Sequence, residues 1–297
     1  MQSSALGGGM RPGAVRLTVA ELDRAQAFYE ATVGLRTIER AGAVATLGAG
    51  DIPAVELVGR PDAPARPRRT TGLFHLAILV PRRVELARAL HRIVETGWSL
   101  TGASDHLVSE ALYLSDPEGN GIEIYRDRPR EEWSYADGQV RMDTLPLDLD
   151  GVIGELAGEE RGANGMPAQT GIGHVHLNVA DLSEAEAFYK EALGFDVTVR
   201  GYPGALFLST GGYHHHIGLN TWVGAGAPPP PPGSLGLRRF ELLLDDDRQL
   251  DELERRLGDA GVEAERDERG INTADPSGNG ILLRVPAATG SAARAPG

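Results

Sequence analysis

The chain contains one unit twice. Val19–Leu35 (VAELDRAQAFYEATVGL) aligns with Val179–Phe195 (VADLSEAEAFYKEALGF) at an offset of 160 residues, with eight of 17 positions identical. Ser115–Arg126 (SDPEGNGIEIYR) aligns in the same way with Ala274–Val285 (ADPSGNGILLRV). A repeat of this length restricts the fold to one assembled from two copies of a domain, over about 14–127 and 172–286.

Each copy divides again. Val15–Val19 reads as a strand, Asp23–Val33 as a helix, and the short apolar pieces ending at Ala54–Val58 as further strands. The plan restarts at Phe74–Val80, a strand, followed by Arg82–Gly97, whose apolar residues recur at spacings of three and four and predict an amphipathic helix. DPEGNG and DPSGNG are turn sequences: Asp-Pro opens the turn and glycine supplies positive φ. The expected fold class is α+β, with four βαβββ modules in two tandem repeats forming two half-barrel cavities. The expected domains are 10–128 (modules 1 and 2) and 170–287 (modules 3 and 4), joined by an acidic linker at 129–169. A short helix is expected near Leu149–Ala157. Five consecutive prolines in Ala227–Gly233 predict a stiff spacer between modules 3 and 4.

Composition narrows the function classes. A net charge of −13 repels nucleic-acid phosphates and anionic membrane surfaces. The chain has no cysteine, which excludes disulfides, thiolate metal sites and Cys nucleophiles and fits a cytoplasmic protein. Hydrophobic content of 41% supports real cores, and aromatic content of 5% makes them aliphatic. No apolar run approaches the ~18 residues needed to span a bilayer. The start, MQSSALGGGMRPG, has neither a charged nor an apolar segment of a signal peptide. It and the small-residue end, PAATGSAARAPG, are expected to fray.

GHVHLNVADLSEAEAFYKEALGF, LFHLAILV and the twice-used DPxGNGI resemble the vicinal oxygen chelate superfamily, which includes glyoxalase I, extradiol dioxygenases and bleomycin-resistance proteins. GGYHHHIGLNTW and SEALYLSDPEGNGIEIYRDRP look like its two-domain, catechol-2,3-dioxygenase-like branch. In that superfamily the first and last strands of a module each offer one metal ligand to a cavity shared by two modules. Module 1 has Ala14 at the first such position, module 2 has His75 and Glu123, module 3 has His174, and module 4 has Arg239 and Leu282. The same scaffold carries His and Glu in one copy and Arg and Leu in the other. Residues needed only for folding would be shared.

The resemblance therefore implies a metal site of His75, Glu123 and His174. Two histidines with one carboxylate form the facial triad of non-haem Fe(II), with Mn, Ni and Zn as alternatives. It requires modules 2 and 3 to face each other, leaving modules 1 and 4 a metal-free cavity; other extradiol enzymes pair modules 3 and 4. The implied activity is extradiol ring cleavage of a small aromatic diol by O2. Glu56 would join the ligands if modules 1 and 2 paired.

Within the run His214, His215, His216, the resemblance points to His215 as the acid/base. Strand alternation from Ile217 and Leu219 instead turns His214 and His216 toward the cavity, and His216 is a candidate fourth ligand. Tyr113 matches the family's active-site tyrosine. His106 and His176 are candidate pocket residues. His91 reads as a helix-surface residue and Asp245–Asp247 as a solvated helix start. The rival functions are a glyoxalase-I-like isomerase, which needs a second carboxylate on the metal, and a non-catalytic small-molecule-binding protein. A homodimer is the candidate assembly.

Overall fold

The computed structural model describes residues 9–157 and 165–286. Residues 1–8 and 287–297, on which the fraying expectations mainly fall, lie outside the described residues, as do 158–164 of the linker.

The βαβββ plan occurs four times. Module 1 comprises β1 (Arg11–Val19), α1 (Leu22–Phe28), β2 (Arg36–Ala41), β3 (Val44–Ala49) and β4 (Ile52–Gly59). Module 2 comprises β5 (Gly72–Leu79), α2 (Arg83–Glu95), β6 (Gly102–Asp105), β7 (Ser109–Ser115) and β8 (Gly121–Asp127). The linker carries β9 (Tyr135–Ala136), β10 (Gln139–Val140), β11 (Leu145–Pro146) and α3 (Leu149–Gly154), the helix expected there. Module 3 comprises β12 (Gly171–Asn178), α4 (Leu182–Glu186), β13 (Asp196–Val199), β14 (Ala205–Ser209) and β15 (Ile217–Asn220). Module 4 comprises β16 (Gly236–Leu243), α5 (Asp247–Asp259), β17 (Ala264–Asp267), β18 (Gly270–Ala274) and β19 (Gly280–Arg284).

Within every module the first strand pairs in parallel with the last, and the others follow antiparallel. The modules then join across the duplication. Antiparallel β5–β12 pairing unites modules 2 and 3 in a nine-stranded sheet, with β11 at one edge. Antiparallel β1–β16 pairing unites modules 1 and 4 in an eight-stranded sheet. Each joining strand is central and covered on both sides. One face of β12 buries Val175 and Leu177 in the aliphatic core, and the other turns His174 and His176 to a cavity.

The shared motifs contact each other. The helices α1 and α4 each open into a π turn, at Tyr29–Val33 and Ala187–Ala192, and end before Gly34 (φ 93°) and Gly194 (φ 85°). That left-handed conformation suits glycine at a helix end. The tyrosine of each AFY triplet points inward to the aspartate of a DPxGNG turn. Tyr29 donates to Asp116 (3.2 Å), and Tyr189 to Asp275 (3.1 Å). Each aspartate also accepts backbone N–H groups of its own turn, including Asn120 and Asn279. The repeated residues thus fasten the helix of one module to the last hairpin of its neighbour.

The helices follow their sequence signals. α2 buries Leu86, Ala89, Leu90 and Ile93, while His91 lies on its outer side, 3.6 Å from Glu95. At α5 the side chain of Asp246 caps the helix by accepting from the Gln249 N–H, so the acidic run is a helix start. The proline segment docks on module 2, where Pro228 O accepts from the Thr71 N–H. Among the described residues no helix is long and apolar enough to cross a membrane.

Candidate metal centre and active site

The nine-stranded sheet curves around a cavity of about 620 Å³. Its floor is two rows of side chains fixed by strand register. In one row, Tyr113 of β7 stands opposite Glu123 of β8, Glu123 opposite Ala77 of β5, and Ala77 opposite His174 of β12. In the next, Gly121 of β8 stands opposite His75, His75 opposite His176, and His176 opposite Gly218 of β15. Neighbours along such rows share one face of a sheet. Glycine makes room at both ends of the second row: a Cβ at Gly218 would lie 2.9 Å from the His176 ring, and one at Gly121 would lie 2.1 Å from the Phe74 backbone carbonyl oxygen.

His75, Glu123 and His174 converge. The Nε2 atoms of His75 and His174 each lie 3.0 Å from the same oxygen, Oε2 of Glu123. All three residues are buried. His174 is oriented to hydrogen-bond that oxygen, whereas the Nε2 of His75, despite its closeness, makes no hydrogen bond among the described residues. A buried, unbonded ring nitrogen is costly unless something else takes its lone pair or proton. One ligand atom from each of the three residues lies within 4.8 Å of the others. The donor set and spacing therefore fit a divalent cation on one face.

The electrostatics suit ligation. Burial pushes the Glu123 carboxyl upward, but His174 and His75 outweigh it and hold it well below the usual carboxylate range. Burial lowers His174 to about 4, against the opposing pull of Glu123. Metal ligands must be an ionised carboxylate and a neutral imidazole, and burial and pairing favour those states in Glu123 and His174.

The histidine run is divided by position. His215 lines the cavity, its ring 4.1 Å from that of His174. His214 lies behind it, with Nδ1 2.8 Å from His215 Nδ1 and Nε2 2.9 Å from Asp127 Oδ1. His216 turns away: its Nδ1 is 3.3 Å from the Thr210 N–H and 3.2 Å from Ser209 Oγ, and its ring stacks on Tyr213. The alternation that turned His214 and His216 inward fails because β15 begins only at Ile217, so the run precedes the regular strand. His216 is accordingly not beside the three convergent donors.

Tyr113 and His106 line the cavity together, with His106 Nε2 2.7 Å from the Tyr113 hydroxyl. The other ring nitrogen of His106 is 2.7 Å from the Asp143 carbonyl, so the linker orients it. Burial, reinforced by the Glu123 charge, raises the Tyr113 phenol well above its ordinary value. His176 also lines the cavity, with its Nε2 buried and, among the described residues, without a hydrogen-bond partner. Glu56 does not join this site. It pairs with Arg16 at 3.2 Å in the other cavity, because modules 1 and 2 do not share a sheet.

Sequence reasoning missed Asp127 and Tyr213. The Tyr213 hydroxyl donates to Asp127 (2.9 Å) and is 2.8 Å from the Tyr125 hydroxyl. Asp127 ends β8 four residues after Glu123, and its charge at a strand end carried no signal of a histidine partner 87 residues away. The aromatic mouth of Phe74, Tyr202 and Trp222 was also missed, since it gathers separate loops and strands.

The profile of the Glyoxalase/Bleomycin resistance protein/Dioxygenase superfamily matches residues 11–124 and 171–283. The chain is 45% identical to a catechol-2,3-dioxygenase of Bacillus subtilis (strain 168) over 278 residues, covering 92% of this chain and 96% of the relative. Glyoxalase I from Zea mays has a similar fold, with a TM-score of 0.58 at 17% identity, covering 92% of each chain. So does the cppA protein from Streptococcus pneumoniae TIGR4, with a TM-score of 0.55 at 11% identity over 93% of this chain and 99% of that one. Two profile matches in tandem, one on each copy of the repeat, together with a full-length relative, place this chain in the glyoxalase/bleomycin resistance protein/dioxygenase superfamily.

Proposed function

We propose that this protein is an extradiol dioxygenase that opens a catechol-type ring with O2, using Fe(II) held by His75, Glu123 and His174. The convergence of two imidazole nitrogens on one carboxylate oxygen carries the reading. The B. subtilis relative, a catechol-2,3-dioxygenase by name, supports the substrate class. A metal so held would bring the diol oxygens and dioxygen together and pass electrons between them. Mn, Ni and Zn fit the same donors less specifically.

The protein's own groups manage protons and position. The Asp127 carboxyl oxygen accepts the Nε2–H of His214. With its proton on Nε2, His214 presents Nδ1 as an acceptor, and His215 donates its own Nδ1–H to it. That tautomer leaves the Nε2 of His215 unprotonated on the cavity side, suited to take a proton from a substrate hydroxyl and return it later. The Tyr113 hydroxyl, backed by His106 and kept protonated by burial, donates a hydrogen bond to oxygen atoms of the reacting group. Phe74 and Trp222, 40% and 46% exposed, offer ring faces at the mouth to an aromatic substrate.

Domain limits of 10–128 and 170–287, a homodimeric assembly and a cytoplasmic location belong to the same proposal, the first supported by the profile match. A glyoxalase-type isomerase is disfavoured by one observation: the carboxylate it would need as a second ligand, Glu56, lines the opposite cavity. Anaerobic reconstitution with Fe(II), then catechol and air, tests the reading by the appearance of the yellow ring-opened product. Iron-loaded protein that consumes no oxygen across a panel of catechols would overturn it.

A further inference from the structure

The second cavity, of about 510 Å³, lies on the eight-stranded sheet between modules 1 and 4. Register makes it the twin of the first. Arg16 stands opposite Arg239 as His176 stands opposite His75, and Arg16 stands opposite Glu56 as His176 stands opposite Gly218. The metal-ligand positions hold Arg239, Leu282 and Ala14.

Two arginines directly opposite on neighbouring strands repel each other unless negative charge lies close. The lining carries the guanidinium groups of Arg239, Arg269 and Arg284 and the carboxylates of Glu39, Glu56, Glu241 and Glu268. Glu56 is held by Arg16 at 3.2 Å, and Glu241 by Arg284 at 2.9 Å and by the Ala14 N–H at 3.3 Å. Arg239 feels the charges of Glu56 and Glu241, but both are bonded to other arginines. Among the described residues it makes no hydrogen bond or ion pair, although it is half-buried and lines the cavity. Arg269, exposed to solvent, lines the same cavity.

We propose that this cavity is a binding site for a small organic monoanion whose carboxylate pairs with Arg239. One uncommitted guanidinium matches one carboxylate in a planar, two-bonded arrangement. The surrounding glutamates disfavour a dianion such as phosphate, because a second negative charge would face Glu56 and Glu241. The site is separate from the metal centre, so the inference stands whether or not the proposed activity does.

Calorimetric titration of the full-length, metal-loaded protein at low salt with benzoate, acetate and inorganic phosphate tests this. Saturable binding of a carboxylate, and weaker binding of phosphate, is expected. Arg239→Gln should weaken carboxylate binding by about tenfold or more, as loss of a charge-assisted pair does. Glu56→Gln should tighten it several-fold, by removing the carboxylate that competes for the arginines; a misfolded variant could not mimic that gain. Absence of saturable binding, binding unchanged in both variants, or phosphate binding as tightly as carboxylate would each overturn the proposal.

Discussion

His174, on the first strand of the second repeat, and Glu123, on the last strand of the first, meet at 3.0 Å across 51 residues of sequence. Neither repeat alone contains the convergent donors. Glu123→Gln and His174→Ala should therefore both abolish stoichiometric iron binding and ring cleavage, measured by elemental analysis and oxygen uptake. A variant that keeps both metal and turnover would refute the shared site.

Removing the metal should lower thermal stability. An ion at a hundredfold excess over its Kd stabilises the folded state by about 2.7 kcal/mol. Chelator-treated wild type should melt at a lower temperature and recover on adding Fe(II) under anaerobic conditions. The Glu123→Gln protein should not respond to the added ion.

Loss of the base should spare the metal. His215→Asn is expected to retain iron and to lose about 10²–10⁴-fold in kcat. Asp127→Asn should cost less, because it alters only the orientation and tautomer of the histidines behind the base. Equal losses in the two variants would argue for a direct role of Asp127.

Acid should weaken the metal-free protein. Burial lowers His174 to about 4 and His216 to about 3, from an ordinary 6.5. Below 6.5 the unfolded chain takes up protons that the folded protein refuses. Stability is thus complete above about 6.5 and falls as pH drops toward 4, by up to about 1.4 kcal/mol per pH unit for each ring. Urea unfolding from pH 7 to pH 5 measures this slope, and His216→Gln should flatten it. A slope unchanged by that substitution would mean that His216 does not contribute.

The Tyr29–Asp116 bond is buried, so Tyr29→Phe leaves the aspartate short of a donor and should cost about 1–3 kcal/mol. Tyr189→Phe, at the twin bond, should cost the same within the scatter of such measurements. Denaturant midpoints of the two variants provide the comparison. A near-zero effect at both would separate the repeated motifs from stability.

The sequence by itself determined the module plan, because repeated apolar periodicities and repeated turn residues are local chemistry that recurs wherever the fold recurs. It also determined which residues could be ligands. His75, Glu123 and His174 differ from their twins Arg239, Leu282 and Ala14, and a difference between copies separates function from folding. Which histidine of the 214–216 run reaches the cavity was not legible, since alternation holds only inside a strand and β15 starts one residue later. Asp127 behind His214, the aromatic mouth and the place of Arg239 in the second cavity are likewise products of register between strands distant in the chain. The ligand set implied that modules join as 2 with 3 and 1 with 4, and the strand pairing of the tertiary structure makes that join. That choice rests on edge-to-edge pairing of β5 with β12 and β1 with β16, a non-local contact that local sequence patterns do not encode.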